Sequence, residues 1–181
     1  MTDALVAFLQ ARLDDDERVA SGTGMPHDWH QGPGTEDPEW ADDEMVLMWP
    51  PEFHTPYEQD KHWRGLTADP AGLAAHIARH DPARTLREVE AKRGLLDGAL
   101  ADRHHVSADQ YETCPCATAA DGLDENSVDA LEALNEERRR EDGAEPECWE
   151  SCGRDARVRR TLELLALPYS DHPKYEEALR S

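Results

Sequence analysis

The sequence contains few of the residues that normally build a hydrophobic core. Leucine, valine, isoleucine and phenylalanine together account for 28 of its 181 residues, less than the roughly one-fifth that divides globular from disordered chains. A mean hydropathy of -0.82 and a formal net charge of -21 act in the same direction. Alanine and tryptophan partly compensate, because alanine favours helix and tryptophan buries a large area. We therefore predict a mainly α single domain over residues 1–181, with a helical core, a small β element and a cysteine-bearing irregular lobe.

Positive charge is scarce, with 19 lysines and arginines against 40 aspartates and glutamates. Nucleic-acid binding relies on basic side chains that contact phosphates, and anionic membranes attract the same residues. The charge balance therefore argues against both partner classes. A strongly acidic surface keeps a protein soluble, and it can also attract a protein partner with a basic surface or imitate DNA.

Targeting segments and catalytic signatures are also missing. The N-terminus enters an amphipathic helix without a basic or apolar leader region, and no apolar run reaches the roughly 18 residues of a membrane span. We therefore expect a cytoplasmic protein whose thiols stay reduced. The sequence contains no glycine-rich phosphate loop and no nucleophile elbow, and it predicts no catalytic residue.

Cysteine and histidine residues are paired in the C-terminal half of the chain: Cys114 with Cys116, Cys148 with Cys152, and His104 with His105. The second cysteine pair has the spacing of a zinc-binding knuckle, and on a helix its side chains would share one face. The first pair is tighter than usual, and 31 residues separate the two pairs. We predict a structural zinc site in a cysteine-bearing insert over residues 104–153. Its ligands are the four cysteines, or three of them with His104 or His105 replacing the fourth; alternatively, the four thiols have no joint role.

Two other groups of residues have both a functional and a structural interpretation. His76 and His80 are one helical turn apart and could bind a divalent metal, with Asp81 as a nearby carboxylate. The proteolytic form of this motif requires a glutamate where the sequence has Ile77, so a hydrogen-bonding role at a helix junction is the alternative. Cys152 precedes several arginines, which would lower the pKa of a thiol or simply form a solvated face.

Five helices are predicted from capping residues, apolar periodicity and Asp-Pro pairs. They cover residues 2–20, 69–80, 81–103, 127–141 with Ser127 as the cap, and about 150–166. Residues 21–44 are predicted to be loop or disordered. Residues 45–49 are the strand candidate, and because a lone strand cannot satisfy its own backbone it needs a partner. Either the chain around Trp29 or residues 53–57 could supply that partner.

Three stretches together resemble a family of small actinobacterial and actinophage proteins that is known only as a domain of unknown function. They are residues 5–17 (LVAFLQARLDDDE), residues 76–93 (HIARHDPARTLREVEAKR) and residues 162–175 (LELLALPYSDHPKY). The resemblance implies that these segments pack as one helical core. It also implies a variable region with a cysteine pair, followed by a further cysteine where this chain has Arg159. The family implies no activity, substrate or catalytic residue.

These observations predict a non-enzymatic cytoplasmic accessory or interaction protein with a structural zinc site. Its acidic face would meet a protein partner with a basic surface. Two alternatives are open at this point: a metal-dependent enzyme that uses His76 and His80, and an acidic DNA-mimic inhibitor.

Overall fold

The computed structural model describes residues 3–22, 29–33, 44–48, 64–67 and 73–180. The described residues form six α-helices: α1 Asp3–Ser21, α2 Leu73–Arg79, α3 Pro82–Leu100, α4 Glu125–Asp142, α5 Arg154–Ala166 and α6 Tyr175–Arg180. They also form three strands: β1 Trp29–Pro33, β2 Glu44–Met48 and β3 Arg64–Thr67. The predicted mainly α fold class is confirmed. The chain divides into two compact units, residues 1–9 with 94–181 and residues 10–93.

A three-stranded antiparallel sheet with the order β1-β2-β3 belongs to the unit of residues 10–93. Trp29 lies opposite Met48 in the first pairing, and Met45 lies opposite Thr67 in the second. Helix α2 packs on β1 and β2, and its Ile77 belongs to the same apolar cluster as Trp29. A lone strand leaves its backbone groups unpaired, and here β1 and β3 supply the partners of β2.

The sheet bears on two predictions about this part of the chain. Strand β2 overlaps the predicted strand at residues 45–49, and its partner β1 begins at Trp29, one of the two alternatives. Because β1 is paired, the predicted loop at residues 21–44 does not extend over Trp29–Pro33. The following lie outside the described residues: Trp49, residues 23–28 and 34–43 of that loop, residues 53–57, and the predicted helix start at residues 69–70.

Helix α3 begins where an Asp-Pro pair predicts it. Asp81 is buried, its Oδ1 accepts the backbone N–H of Arg84, and its carbonyl accepts the N–H of Thr85 at 3.0 Å. Pro82 occupies the first helical position, where its missing N–H costs nothing. The helix ends at Leu100, three residues before the predicted end.

Outside the cysteine-bearing insert, four helices contribute buried apolar side chains to the unit of residues 1–9 and 94–181. They are Leu5, Phe8 and Leu9 of α1, Leu96 of α3, Val158, Leu162 and Ala166 of α5, and Ala178 of α6. The ring of Phe8 packs edge-on against those of Tyr169 and Tyr175, with centroids 6.4 and 6.3 Å apart, a favoured aromatic geometry. Helix α6 was not predicted, because six residues give too short a periodic signal. None of the helices in the described ranges is long and apolar enough to cross a membrane.

Two predicted helix starts need correction. Helix α4 is capped by Asp124, whose side chain accepts the backbone N–H of Ser127 at 2.9 Å, so Ser127 lies inside the helix and is not its cap. Helix α5 begins after Gly153, not near residue 150, because Gly153 has a left-handed φ of 63° that interrupts the helix. Consequently Cys148 and Cys152 precede α5 and do not lie on it.

Candidate metal centre

Four potential metal ligands meet in the cysteine-bearing insert: His104, Cys114, Cys148 and Cys152. Their ligand atoms, one imidazole nitrogen and three sulfurs, all lie within 4.8 Å of one another. Cys114 is 0% exposed and Cys152 is also buried, whereas the other two are partly buried. Tetrahedral coordination by sulfur and nitrogen at about 2.0–2.3 Å separates neighbouring ligand atoms by roughly 3.5 Å. The group is therefore close enough to hold one metal ion.

The imidazole of His104 lies between two cysteine sulfurs and a carboxylate. Its Nδ1 lies 3.5 Å from the sulfur of Cys114 and 3.8 Å from that of Cys152. Its Nε2 lies 3.8 Å from Oδ1 of Asp155, in the first turn of α5. Histidines that ligate metals commonly present one ring nitrogen to the ion and the other to a carboxylate, which fixes the ring orientation.

The backbone of His104 is held by Asp121. The N–H of His104 donates to Oδ1 of Asp121 at 2.7 Å, while Oδ2 accepts the N–H and the hydroxyl of Thr118 at 2.8 and 3.0 Å. Burial raises the pKa of Asp121, but these hydrogen bonds outweigh it and lower the pKa overall. Asp121 therefore stays ionised and ties the chain after α3 to the 3-10 turn Ala119–Asp121.

Backbone and side-chain hydrogen bonds fix the turn that carries Cys114. Its N–H donates to the carbonyl of His105 at 3.0 Å, and its carbonyl accepts the N–H of Ala117 at 2.9 Å. Asn135, buried on α4, donates its Nδ2 to the carbonyl of Pro115 at 2.8 Å. The turn is thus joined both to the histidine-bearing segment and to α4.

A turn brings Cys148 and Cys152 together. The N–H groups of Cys152 and Gly153 both donate to the carbonyl of Trp149, at 3.0 and 2.9 Å. A Cβ on Gly153 would lie 3.2 Å from Nη1 of Arg157, which itself donates to the carbonyl of Cys152 at 2.8 Å. The expectation that Cys148 and Cys152 share a helix face is therefore wrong. The two cysteines lie in a turn that precedes α5, and this turn ends at Gly153, whose backbone is left-handed.

The two buried thiols differ in pKa. Burial raises the pKa of Cys114 to about 12, although two backbone N–H groups oppose it. Burial acts in the same direction on Cys152, but the N–H groups of His105, 3.3 Å from the sulfur, and Arg154, with the imidazole of His104, lower its pKa to about 6. Cys152 can thus meet a cation as a thiolate, whereas Cys114 would release its proton on binding.

Two of the six predicted ligand candidates lie outside the group of four. The sulfur of Cys116 donates to the carbonyl of Pro146 at 3.7 Å. The side chain of His105 is exposed, and this residue contributes its backbone N–H to the sulfur of Cys152. Of the two predicted ligand arrangements, the group matches three cysteines with His104 in place of Cys116.

His76 and His80 lie at the C-terminal end of α2. Their ring centroids are 4.5 Å apart and both residues are exposed. The nearby carboxylate of Asp81 is engaged as the N-cap of α3. In the part of the chain that the structure describes, only the group around His104 brings three or more potential ligands within reach of one ion, so no third ligand accompanies this pair there.

The sequence did not reveal the residues that support the ligands. Asp121 and Asp155 are two among 40 acidic residues, and no spacing distinguishes them from the others. Asn135 has one signal, since it follows Leu131 by four residues and shares its helix face. Leu131 and Asn135 are both buried on α4. The available signal was therefore the position of a polar residue, Asn135, on the apolar face of the helix.

The fold and the site define a class of protein: a mainly α protein with a histidine and three cysteines that could hold one metal ion. The chain belongs to a family of unknown function, DUF6221, whose model matches residues 2–180. The resemblance to a family known only as a domain of unknown function is thereby confirmed. No curated protein and no solved structure matches the chain.

Proposed function

We propose that the protein is a non-enzymatic accessory or interaction protein in which one structural zinc ion closes the cysteine-bearing insert. The observation that carries the proposal is the convergence of three thiols and one imidazole within 4.8 Å. Structural zinc sites are four-coordinate, and three cysteines with one histidine are a common ligand set. An iron–sulfur cluster is usually held by four cysteine thiolates, and this group offers three.

The number of ligands supports a structural role for the ion. A catalytic zinc keeps one coordination position open for water or substrate and has three protein ligands. Here four protein ligands are available, and two of them, Cys114 and Cys152, are buried. The alternative of a metal-dependent enzyme based on His76 and His80 gains no support from the described residues.

The fully buried apolar core of the cysteine-bearing insert is small. Its buried apolar cluster consists of Cys114, Ala117, Leu131 and Cys152, so half of the buried side chains are potential ligands. A segment with so few aliphatic residues cannot bury much apolar area. Metal binding would supply folding free energy in its place, as it does in small zinc domains.

Composition and thiol chemistry support the remaining parts of the proposal. All four cysteines are free, which suits a reducing compartment such as the cytoplasm. A net charge of -21 favours a protein partner with a basic surface over a nucleic acid.

Metal analysis of the purified protein tests the zinc proposal. We expect about one zinc ion per chain, as in structural sites of this ligand set. Replacement by Co²⁺ should produce the visible absorption bands of a tetrahedral ion and a sulfur charge-transfer band. A fully reduced, metal-free protein with the same melting temperature before and after chelation would contradict the proposal.

A further inference from the structure

A groove lies in the cysteine-bearing insert between residues 107–113 and the first turns of α4. Its volume is about 650 Å³. Leu123 and Leu131 contribute to its lining, the latter only 3% exposed, whereas Tyr111 beside them is 64% exposed. The rest of the lining is mostly polar, and an exposed aromatic ring beside a few apolar side chains is typical of a contact surface.

The charged side chains that line this groove are two aspartates, Asp109 and Asp124. Residues 104–137 contain nine aspartates and glutamates and not one lysine or arginine. Asp109 and Asp124 line the groove and are exposed, and they accept the backbone N–H groups of Tyr111 and Ser127, each at 2.9 Å. Among the described residues, neither carboxylate takes part in an ion pair. We call this feature the acidic groove.

A lysine or arginine side chain matches the acidic groove in both shape and charge. Its aliphatic stem can pack on the partly exposed Leu123, and its cationic head can reach Asp109 or Asp124. An arginine can also stack on the ring of Tyr111. The two carboxylates are already oriented by backbone hydrogen bonds, so little ordering is needed when a cation binds.

We propose that the acidic groove binds a basic segment of a partner protein through at least one lysine or arginine side chain. This inference deepens the proposed interaction role and rests on it. The groove is adjacent to the candidate metal centre, because Thr113 belongs to its wall and directly precedes Cys114. Thr113 donates its N–H to the carbonyl of Asp109 at 3.1 Å.

The first test compares two double variants that remove the same charge. The probe is a fluorescein-labelled peptide, four repeats of Arg-Leu-Ser, with the metal-loaded protein at physiological ionic strength. Asp109→Asn with Asp124→Asn keeps both backbone acceptors, because asparagine also caps helices and turns. The control, Glu147→Gln with Asp171→Asn, changes exposed residues outside the groove. We expect the groove variant to weaken binding about fivefold or more and the control less than about twofold.

Substitution of the exposed ring gives a second test that does not depend on charge. Tyr111→Ala should weaken binding about threefold, because it removes a stacking surface. Diffuse attraction to a net charge of -21 would not respond to this change. In the wild-type protein, the peptide should also shift the amide NMR signals of residues 107–131, which does not require any variant to fold.

Two outcomes would overturn the acidic groove: equal losses in both charge variants, or amide shifts that avoid residues 107–131. Metal content is measured for every sample, and the wild-type assay is repeated after chelation. Zinc-loaded protein without groove-specific binding contradicts this inference alone. Protein that binds the peptide in the groove but never contains zinc contradicts the structural zinc ion alone.

Discussion

Cys114 and Cys116 differ in role although a single proline separates them. The sulfur of Cys114 belongs to the group of four potential ligands, whereas that of Cys116 donates to the carbonyl of Pro146. The first thiol is fully buried and the second is partly exposed. The pair therefore offers a potential ligand and a matched control two residues apart.

Replacing Cys114 should lower the metal content of the protein, whereas replacing Cys116 should leave it unchanged. Cys114→Ser removes one of four ligands, and we expect the purified variant to lose most of its zinc. Cys116→Ser removes a neighbour of the site, and we expect about one zinc ion per chain. Elemental analysis of both proteins checks this. Equal zinc content in the two variants would show that the ligand set is misassigned.

The carboxylate behind His104 should tune the affinity for the metal. Asp155 lies 3.8 Å from Nε2 of His104, and loss of such an outer partner typically costs 10–100-fold in metal affinity. We predict a loss of about tenfold for Asp155→Ala in competition with a chelating dye. Asp155 also pairs with Arg154 at 2.9 Å, so the matched control is Glu163→Ala, on the same helix and likewise paired with an arginine, Arg159. An identical loss in the control would argue against a role for Asp155.

The sequence could predict the ligand types but not the final set. The paired spacing of Cys148 and Cys152 indicates a metal site but does not distinguish His104 from His105. In the structure the ring of His104 lies beside the sulfur of Cys114, and the backbone N–H of His104 is held by Asp121. Such a contact joins residues 17 positions apart, and no local pattern reports it.

Among the elements, helix α4 contacts the turn that carries Cys114 through a buried amide as well as through Leu131. Asn135 is 6% exposed, donates to the carbonyl of Pro115 and accepts from Arg138. Asn135→Ala should lower the free energy of unfolding by about 1–3 kcal/mol, because it leaves a buried carbonyl unsatisfied. Asn126→Ala, at an exposed position in the first turn of α4, should change it by less than about 0.5 kcal/mol. Chemical denaturation of both variants measures the difference, and equal values would contradict this assignment.

The start of helix α3 depends on a buried cap. Asp81→Ala removes the acceptor of the Arg84 N–H, and we expect a loss of about 1 kcal/mol in the free energy of unfolding. Asp81→Asn should be nearly neutral, because asparagine caps equally well. Thermal denaturation of the two variants compares them. A similar loss in both would mean that the charge of Asp81, and not its capping, stabilises the protein.

The predicted starts of α1 and α3 lie close to those in the structure, whereas the predicted starts of α4 and α5 do not. The Asp81-Pro82 pair located α3, because both residues act within one turn. Ser127 was a plausible cap for α4, but Asp124 provides a better placed acceptor. Gly153 delays α5 through its left-handed backbone, a conformation that glycine permits but does not require.

At the scale of the whole molecule, composition indicated a mainly α protein poor in aliphatic residues. Composition could not show which residues are buried in place of the scarce aliphatic side chains. In the cysteine-bearing insert, cysteines take that place, since Cys114 and Cys152 form the buried cluster with Ala117 and Leu131. The four potential ligands come from segments separated by up to 48 positions, so their convergence is a property of the folded chain.

Hydrogen exchange before and after chelation tests most directly whether a metal ion closes the cysteine-bearing insert. We predict that chelation increases exchange across residues 104–153, including the N–H of Cys114, which donates to the carbonyl of His105. The amides of α3 between residues 85 and 93 should keep their protection, because their hydrogen bonds lie within one helix. Unchanged protection of residues 104–153 in a verified metal-free sample would contradict the account.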